Sequence, residues 1–161
     1  MHGVWVRQTA AGVGGLEPGL RPSRWGVGGS PALYLADNDE TAWAELYRGL
    51  AERGQPPTAG MPRDLHRVTV NLERVADLRS ERARRGFGLP RIRPTRAQWA
   101  AFQQIGERLA AEGAQGVLYS SAARTRSLCL CVFEAGLAGL EVEGEPIRVI
   151  AAPPLPRGLR T

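Results

Sequence analysis

Three apolar segments crowd the last third of the chain: GVLYS (116–120), SLCLCVF (127–133) and PIRVIAA (146–152). Short runs of this kind, bounded by polar or turn-forming residues, read as strands. Parallel neighbours need long, usually helical crossovers, and the connections between these last strands lack room for them. The chain is therefore expected to build a largely antiparallel sheet. Upstream, ALYLA (32–36) follows the Gly-rich GVGGSP as another strand, and LHRVTVNL (65–72) alternates as a half-buried one. Two helices are predicted beside the sheet. Asp37 with Glu40 forms an N-cap signature ahead of Trp43, Leu46, Tyr47 and Leu50, and the helix stops at Gly54. Thr95 with Gln98 forms a second capping box ahead of Trp99, Phe102, Ile105 and Leu109, which run to Gly113. The expected class is α+β, a largely antiparallel sheet core with flanking helices in a single domain spanning 1–161. Residues 8–23 and 78–96 read as irregular.

At 43% hydrophobic and 23% charged residues, the composition is that of a water-soluble globular chain. No apolar run nears the roughly 18 residues of a membrane span, and the N-terminus lacks the continuous apolar stretch of a secretory signal. A cytoplasmic location without membrane partners is expected. The net charge of +5 is weak evidence for nucleic acid, because every one of the 21 basic residues is arginine, as a GC-rich genome would encode. The segment 78–96 holds seven of those arginines but only one aromatic, Phe87, whereas phosphate readers interleave stacking rings with charge. It reads as a solvated loop, and direct nucleic-acid binding is not expected.

Cys129 and Cys131, the only cysteines, lie two apart on one predicted strand and share a face, which suits buried thiols better than a disulfide. No Cys/His cluster offers a metal site. His2 and His66 are isolated, and His66 belongs to its strand.

The stretch RWGVGGSPALYLADNDETAWAEL (24–46) carries the candidate chemistry. By residue type alone, Glu45 lies opposite the apolar stripe of its helix and reads as a solvated residue, able to pair with Arg48. Arg24 equally reads as a loop charge, Trp25 and Tyr34 as core aromatics, and Ser121 as a turn residue. However, Arg24-Trp25, Tyr34 ten residues later, Glu45 eleven further on, and GVLYSSA near 120 together resemble the RES domain family. Of the adjacent serines 120 and 121, Ser121 is followed by Ala122 as in the family pattern.

That resemblance implies a fold similar to ADP-ribosyltransferases and an NAD+-consuming toxin held by a cognate Xre-type antitoxin. NAD+ is then the substrate, no cofactor is needed, and phosphate or water accepts the ADP-ribosyl group. Nicotinamide departure leaves an oxocarbenium-like ribose, which a carboxylate stabilises. Glu45 and Arg24 are the implied catalytic residues, with Arg24 also holding the pyrophosphate or an incoming phosphate through its planar fork. Tyr34 would stack on a ring of the dinucleotide, and Ser121 would bond the ribose or shape the pocket floor. The rivals are transfer of ADP-ribose to a macromolecule and an arginine-rich nucleic-acid module.

Overall fold

The computed structural model describes residues 1–89 and 96–160. Its first strand, β1 (His2–Ala10), was not evident in the sequence. Trp5 and Val6 are apolar in succession, because the strand is flanked on both edges and packs on both faces, whereas Val4 is exposed. β2 (Ala32–Ala36) and β5 (Gly116–Ser120) coincide with the segments read from the sequence. β3 (Arg63–Asn71), β4 (Val75–Asp77), β6 (Leu128–Phe133) and β7 (Leu140–Val149) complete a seven-stranded sheet of order β4-β5-β6-β2-β1-β3-β7. All pairs are antiparallel except β4 with β5, whose connection has room for a helical crossover.

The sheet is nearly split in the middle. β1 pairs with β3 along its whole length, but with β2 only at Val6 opposite Ala36. Leu33, Leu35, Leu118, Leu130 and Val132 from one arm share a core with Trp5, Val68, Val70 and Leu140 from the other, so the arms face each other across apolar side chains. On the opposite side, α1 (Asp39–Ala51) packs Ala42, Trp43, Leu46, Tyr47 and Leu50 against Val6, Ala36 and Leu65. α3 (Trp99–Ala111) packs Phe102 and Leu109 against Trp25, Tyr119, Cys129 and Cys131.

The cap of α1 is Asn38, not Asp37: its side chain accepts the Thr41 N–H at 3.0 Å. Asp37 is committed elsewhere, extending the β2–β6 ladder by accepting the Leu128 N–H at 2.9 Å. Ahead of α3, Gln98 occupies the N-cap after a short 3-10 turn; Thr95 lies outside the described residues.

The segment 78–96 also differs from expectation. Its first part is a short helix, α2 (Glu81–Gly86), capped by Ser80, whose hydroxyl oxygen accepts from Ala83 N at 3.0 Å. Arg84 is buried and donates to the Leu78 and Arg79 carbonyls at 3.2 and 2.7 Å. Arg79 clamps Asp77, and Arg85 pairs with Glu81. Arg84 thus closes a turn, a role charge patterning does not distinguish from solvation, whereas Arg79, Arg82 and Arg85 are exposed. Arg91 and Arg93 lie outside the described residues. His66 is buried in β3 with its Nε2 3.0 Å from Thr9 Oγ1. Burial holds its pKa below the ordinary histidine value. Both cysteines are free and buried.

Candidate active site

Residues 23–31 form a glycine-rich loop that aims Arg24. Trp25 is almost fully buried, edge-on to Phe102 at 5.2 Å between ring centroids and tilted on Tyr119 at 5.4 Å. Tyr34 secures the loop from below: its hydroxyl lies 2.6 Å from Ser23 Oγ and accepts the Trp25 N–H at 3.1 Å. From α3, the Gln103 amide donates to the Ser23 carbonyl at 2.8 Å. The loop leaves the site through Gly28 and Gly29, whose positive φ values of 102° and 83° few other residues adopt. Held at these points, the Arg24 guanidinium sits over the Tyr119 ring, 5.1 Å from its centroid.

Glu45 is turned inward although the helical wheel placed it on the solvated side. The wheel assumes one core beneath α1, whereas this helix is enclosed on more than one side, by the sheet and by the loop following β5. Glu45 Oε1 accepts from Ser121 Oγ at 2.7 Å, Ala122 N at 3.1 Å, Ala123 N at 3.4 Å and the Cys129 thiol at 3.6 Å. Among the described residues no donor reaches Oε2 and no cation pairs with the carboxylate. Arg48, the partner offered by sequence spacing, pairs instead with Glu52 at 2.8 Å. Neutral donors thus fix the geometry of Glu45 without cancelling its charge.

The split between β1 and β2 opens beside this carboxylate as a cavity of about 250 Å³. Val6 and Gln8 line it from β1, Tyr34 and Ala36 from β2, Glu45 from α1, and Tyr119 and Cys129 from β5 and β6. Two of the four sequence candidates, Tyr34 and Glu45, are therefore in the wall. Arg24 approaches it through Tyr119, and its charge partly offsets the upward shift of the Tyr119 and Cys129 pKa values. Burial is the main cause of those shifts, with the Glu45 charge second for Cys129; burial likewise raises the Tyr34 phenol and pushes Cys131 up to about 12. The phenols and thiols consequently stay neutral at ordinary pH.

Ser121 is not in the wall. It is fully buried, donates a hydrogen bond to Glu45, and accepts from Ala123 N at 3.1 Å and Arg124 N at 3.0 Å. It stands behind the carboxylate as a positioning residue, while Ser120 ends β5 opposite Leu128. Replacing Ser121 with alanine would strip Glu45 of a donor and leave Arg124 N–H without its acceptor. Stability should fall by about 1–3 kcal/mol. Turnover should drop about ten- to a hundredfold with little change in KM, since the carboxylate is misplaced while the cavity wall is kept. Denaturation and steady-state kinetics, with Ser120→Ala as a near-silent control, would check both.

Sequence reasoning missed Tyr119, Cys129 and Gln8, all ordinary strand residues by type. Only the alternation of GVLYS and SLCLCVF, which gives Tyr119 and Cys129 to one face, carried a trace of the first two. Among the described residues, no cluster of His, Cys, Asp and Glu could hold a metal ion.

The sequence profile of the RES domain matches residues 2–152. The chain belongs to the RES domain family. This RES domain is 33% identical over 135 residues to a probable NAD(+) phosphorylase of Mycobacterium tuberculosis. That alignment covers 82% of the chain but 63% of the relative's length. The fold is similar to a chain in the crystal structure of the M. tuberculosis MbcT–MbcA toxin–antitoxin complex. The TM-score is 0.80 at 23% identity, over 93% of this chain and 85% of that one. Among the described residues of the RES domain, no helix is long and apolar enough to cross a membrane.

Proposed function

We propose that the chain consumes NAD+ by breaking the bond between nicotinamide and ribose, with inorganic phosphate or water as acceptor. The observation that carries this reading is the Glu45 carboxylate, held at Oε1 by neutral donors, with no cation paired to it among the described residues, and lining a cavity. As the glycosidic bond breaks, its electron pair leaves with the nicotinamide ring nitrogen, which loses its formal positive charge. Positive charge then develops on the ribose, and an unneutralised carboxylate preorganised beside it lowers the barrier. Arg24 supplies the cation for the pyrophosphate or for phosphate delivered to the ribose. The similarity to a probable NAD(+) phosphorylase favours phosphate over water.

The cavity is smaller than the roughly 300–1,000 Å³ of sites that enclose a drug-sized ligand, so it would take the nicotinamide–ribose half and leave the adenylate outside. A toxin role under a cognate antitoxin of the Xre type completes the proposal, supported by family membership and by the fold shared with a chain of a toxin–antitoxin complex.

Incubating the purified protein with NAD+ and separating the products tests the chemistry. Nicotinamide and a phosphorylated ADP-ribose should appear with phosphate present, and free ADP-ribose should dominate if water is the acceptor. No nicotinamide release under either condition would sink the proposal. Adenylate label ending on protein or nucleic acid would indicate transfer to a macromolecule instead.

A further inference from the structure

Gln8 lines the same cavity as Glu45, although its strand was not evident in the sequence. The register that sets Val6 opposite Ala36 carries Gln8 opposite Tyr34, but the β1–β2 ladder does not extend that far. The strands part there, and the Gln8 side chain enters the opening instead of a paired sheet. Its Oε1 is shielded from solvent and meets no donor among the described residues. Buried polar atoms in folded proteins are overwhelmingly hydrogen-bonded, so an orphaned acceptor in a cavity wall calls for a donor on whatever occupies that cavity.

We infer that Gln8 is a specificity-determining residue that reads the primary carboxamide of the nicotinamide ring. The inference rests on the NAD+ reading proposed above. An amide side chain offers an acceptor and a donor side by side, the complement of the N–H donor and C=O acceptor of a carboxamide, whichever way the amide is turned. On that reading the adenine end is not a rival ligand, because the half of the dinucleotide placed beside Glu45 must be the one at which the bond breaks. The ring itself would lie among Tyr34, Tyr119 and Val6. A carboxylate in place of the carboxamide offers only acceptors. It would leave Oε1 facing another oxygen and would add a negative charge to a cavity that already holds the unneutralised Glu45. Sites built around a hydrogen bond reject analogues unable to form it far more strongly than apolar pockets reject a change in size.

The test compares NAD+ with nicotinic acid adenine dinucleotide, in which the carboxamide is a carboxylate. The wild type should favour NAD+ by about a hundredfold or more in kcat/KM. Gln8→Leu, which keeps bulk but cannot form the bond, should reduce that ratio by about tenfold or more, mainly by slowing NAD+. It should not lower the unfolding temperature, since it removes an unpaired buried oxygen. Calorimetric titration with free nicotinamide and free nicotinic acid reads the subsite without turnover: nicotinamide should bind more tightly, and Gln8→Leu should abolish the difference. Equal use of both dinucleotides by the wild type, or an unchanged ratio in Gln8→Leu, overturns the inference and leaves NAD+ cleavage intact. Absence of NAD+ turnover together with Gln8-dependent nicotinamide binding would do the reverse. Absence of both would overturn both.

Discussion

Replacing Glu45 with glutamine should leave a folded protein that no longer depletes NAD+, with kcat lower by at least about a hundred- to a thousandfold. The amide oxygen can take the place of Oε1 and accept from Ser121, Ala122, Ala123 and Cys129 as the carboxylate does. The amide nitrogen then occupies the position of Oε2. Shape and internal hydrogen bonds are conserved, and the negative charge is lost. Because no cation neutralises Glu45 among the described residues, its whole charge is available to a cationic transition state, and its removal should be felt there and not in folding. Glu52→Gln is the matched control. Glu52 lies one residue beyond α1 and pairs with Arg48 across partly exposed surface, where an ion pair contributes little to stability. Cooperative unfolding near the wild-type temperature together with a wild-type rate of NAD+ loss in Glu45→Gln would mean that the carboxylate is not part of the chemistry.

The sequence made the sheet more legible than the site. Strands bounded by glycine, proline or polar residues, such as Ala32–Ala36 and Gly116–Ser120, announced their limits. β1 did not, because residues packed on both faces erase the alternation that marks a half-buried strand. β4 is only three residues long, too short for any period to register. Arg24, Tyr34, Glu45 and Ser121 stood out through family resemblance, since by residue type each had an ordinary alternative. The residues that complete the cavity were hidden for a different reason. Tyr119 and Cys129 are typical core side chains, and Gln8 gains its meaning only where β1 and β2 separate, a feature of tertiary pairing. Of the arginines in 78–96, Arg79, Arg82 and Arg85 are exposed, as the solvated reading expects, and Arg84 departs from it, buried among backbone carbonyls.

The contact between α3 and the Arg24 loop predicts a second large effect, at a position with no chemistry of its own. Gly106 is buried in the middle of α3, where alanine would ordinarily stabilise a helix by about 1 kcal/mol. Here a Cβ would stand 2.1 Å from the Trp25 carbonyl oxygen and 3.0 Å from its carbonyl carbon. Those are backbone atoms, with no rotamer to relieve the clash, so helix and loop must separate. Overpacking a core costs about 1–3 kcal/mol, which exceeds the gain in propensity, and the net sign should be destabilising. The functional loss should be larger than the stability loss. Trp25 is wedged between Phe102 of the same helix and Tyr119 of the cavity wall, and Gln103 holds the loop through the Ser23 carbonyl. Moving α3 therefore disturbs several of the supports that aim Arg24, and a displacement of about 1 Å at a positioning group can cost about a hundredfold in rate. Gly106→Ala should thus unfold at lower temperature and lose most of its NAD+ turnover. Gly86→Ala, at the end of α2 where a Cβ meets nothing within 4 Å, should do neither. A Gly106→Ala protein with a raised unfolding temperature and full turnover would show that helix propensity outweighs the contact, and that Arg24 does not depend on α3 for its place.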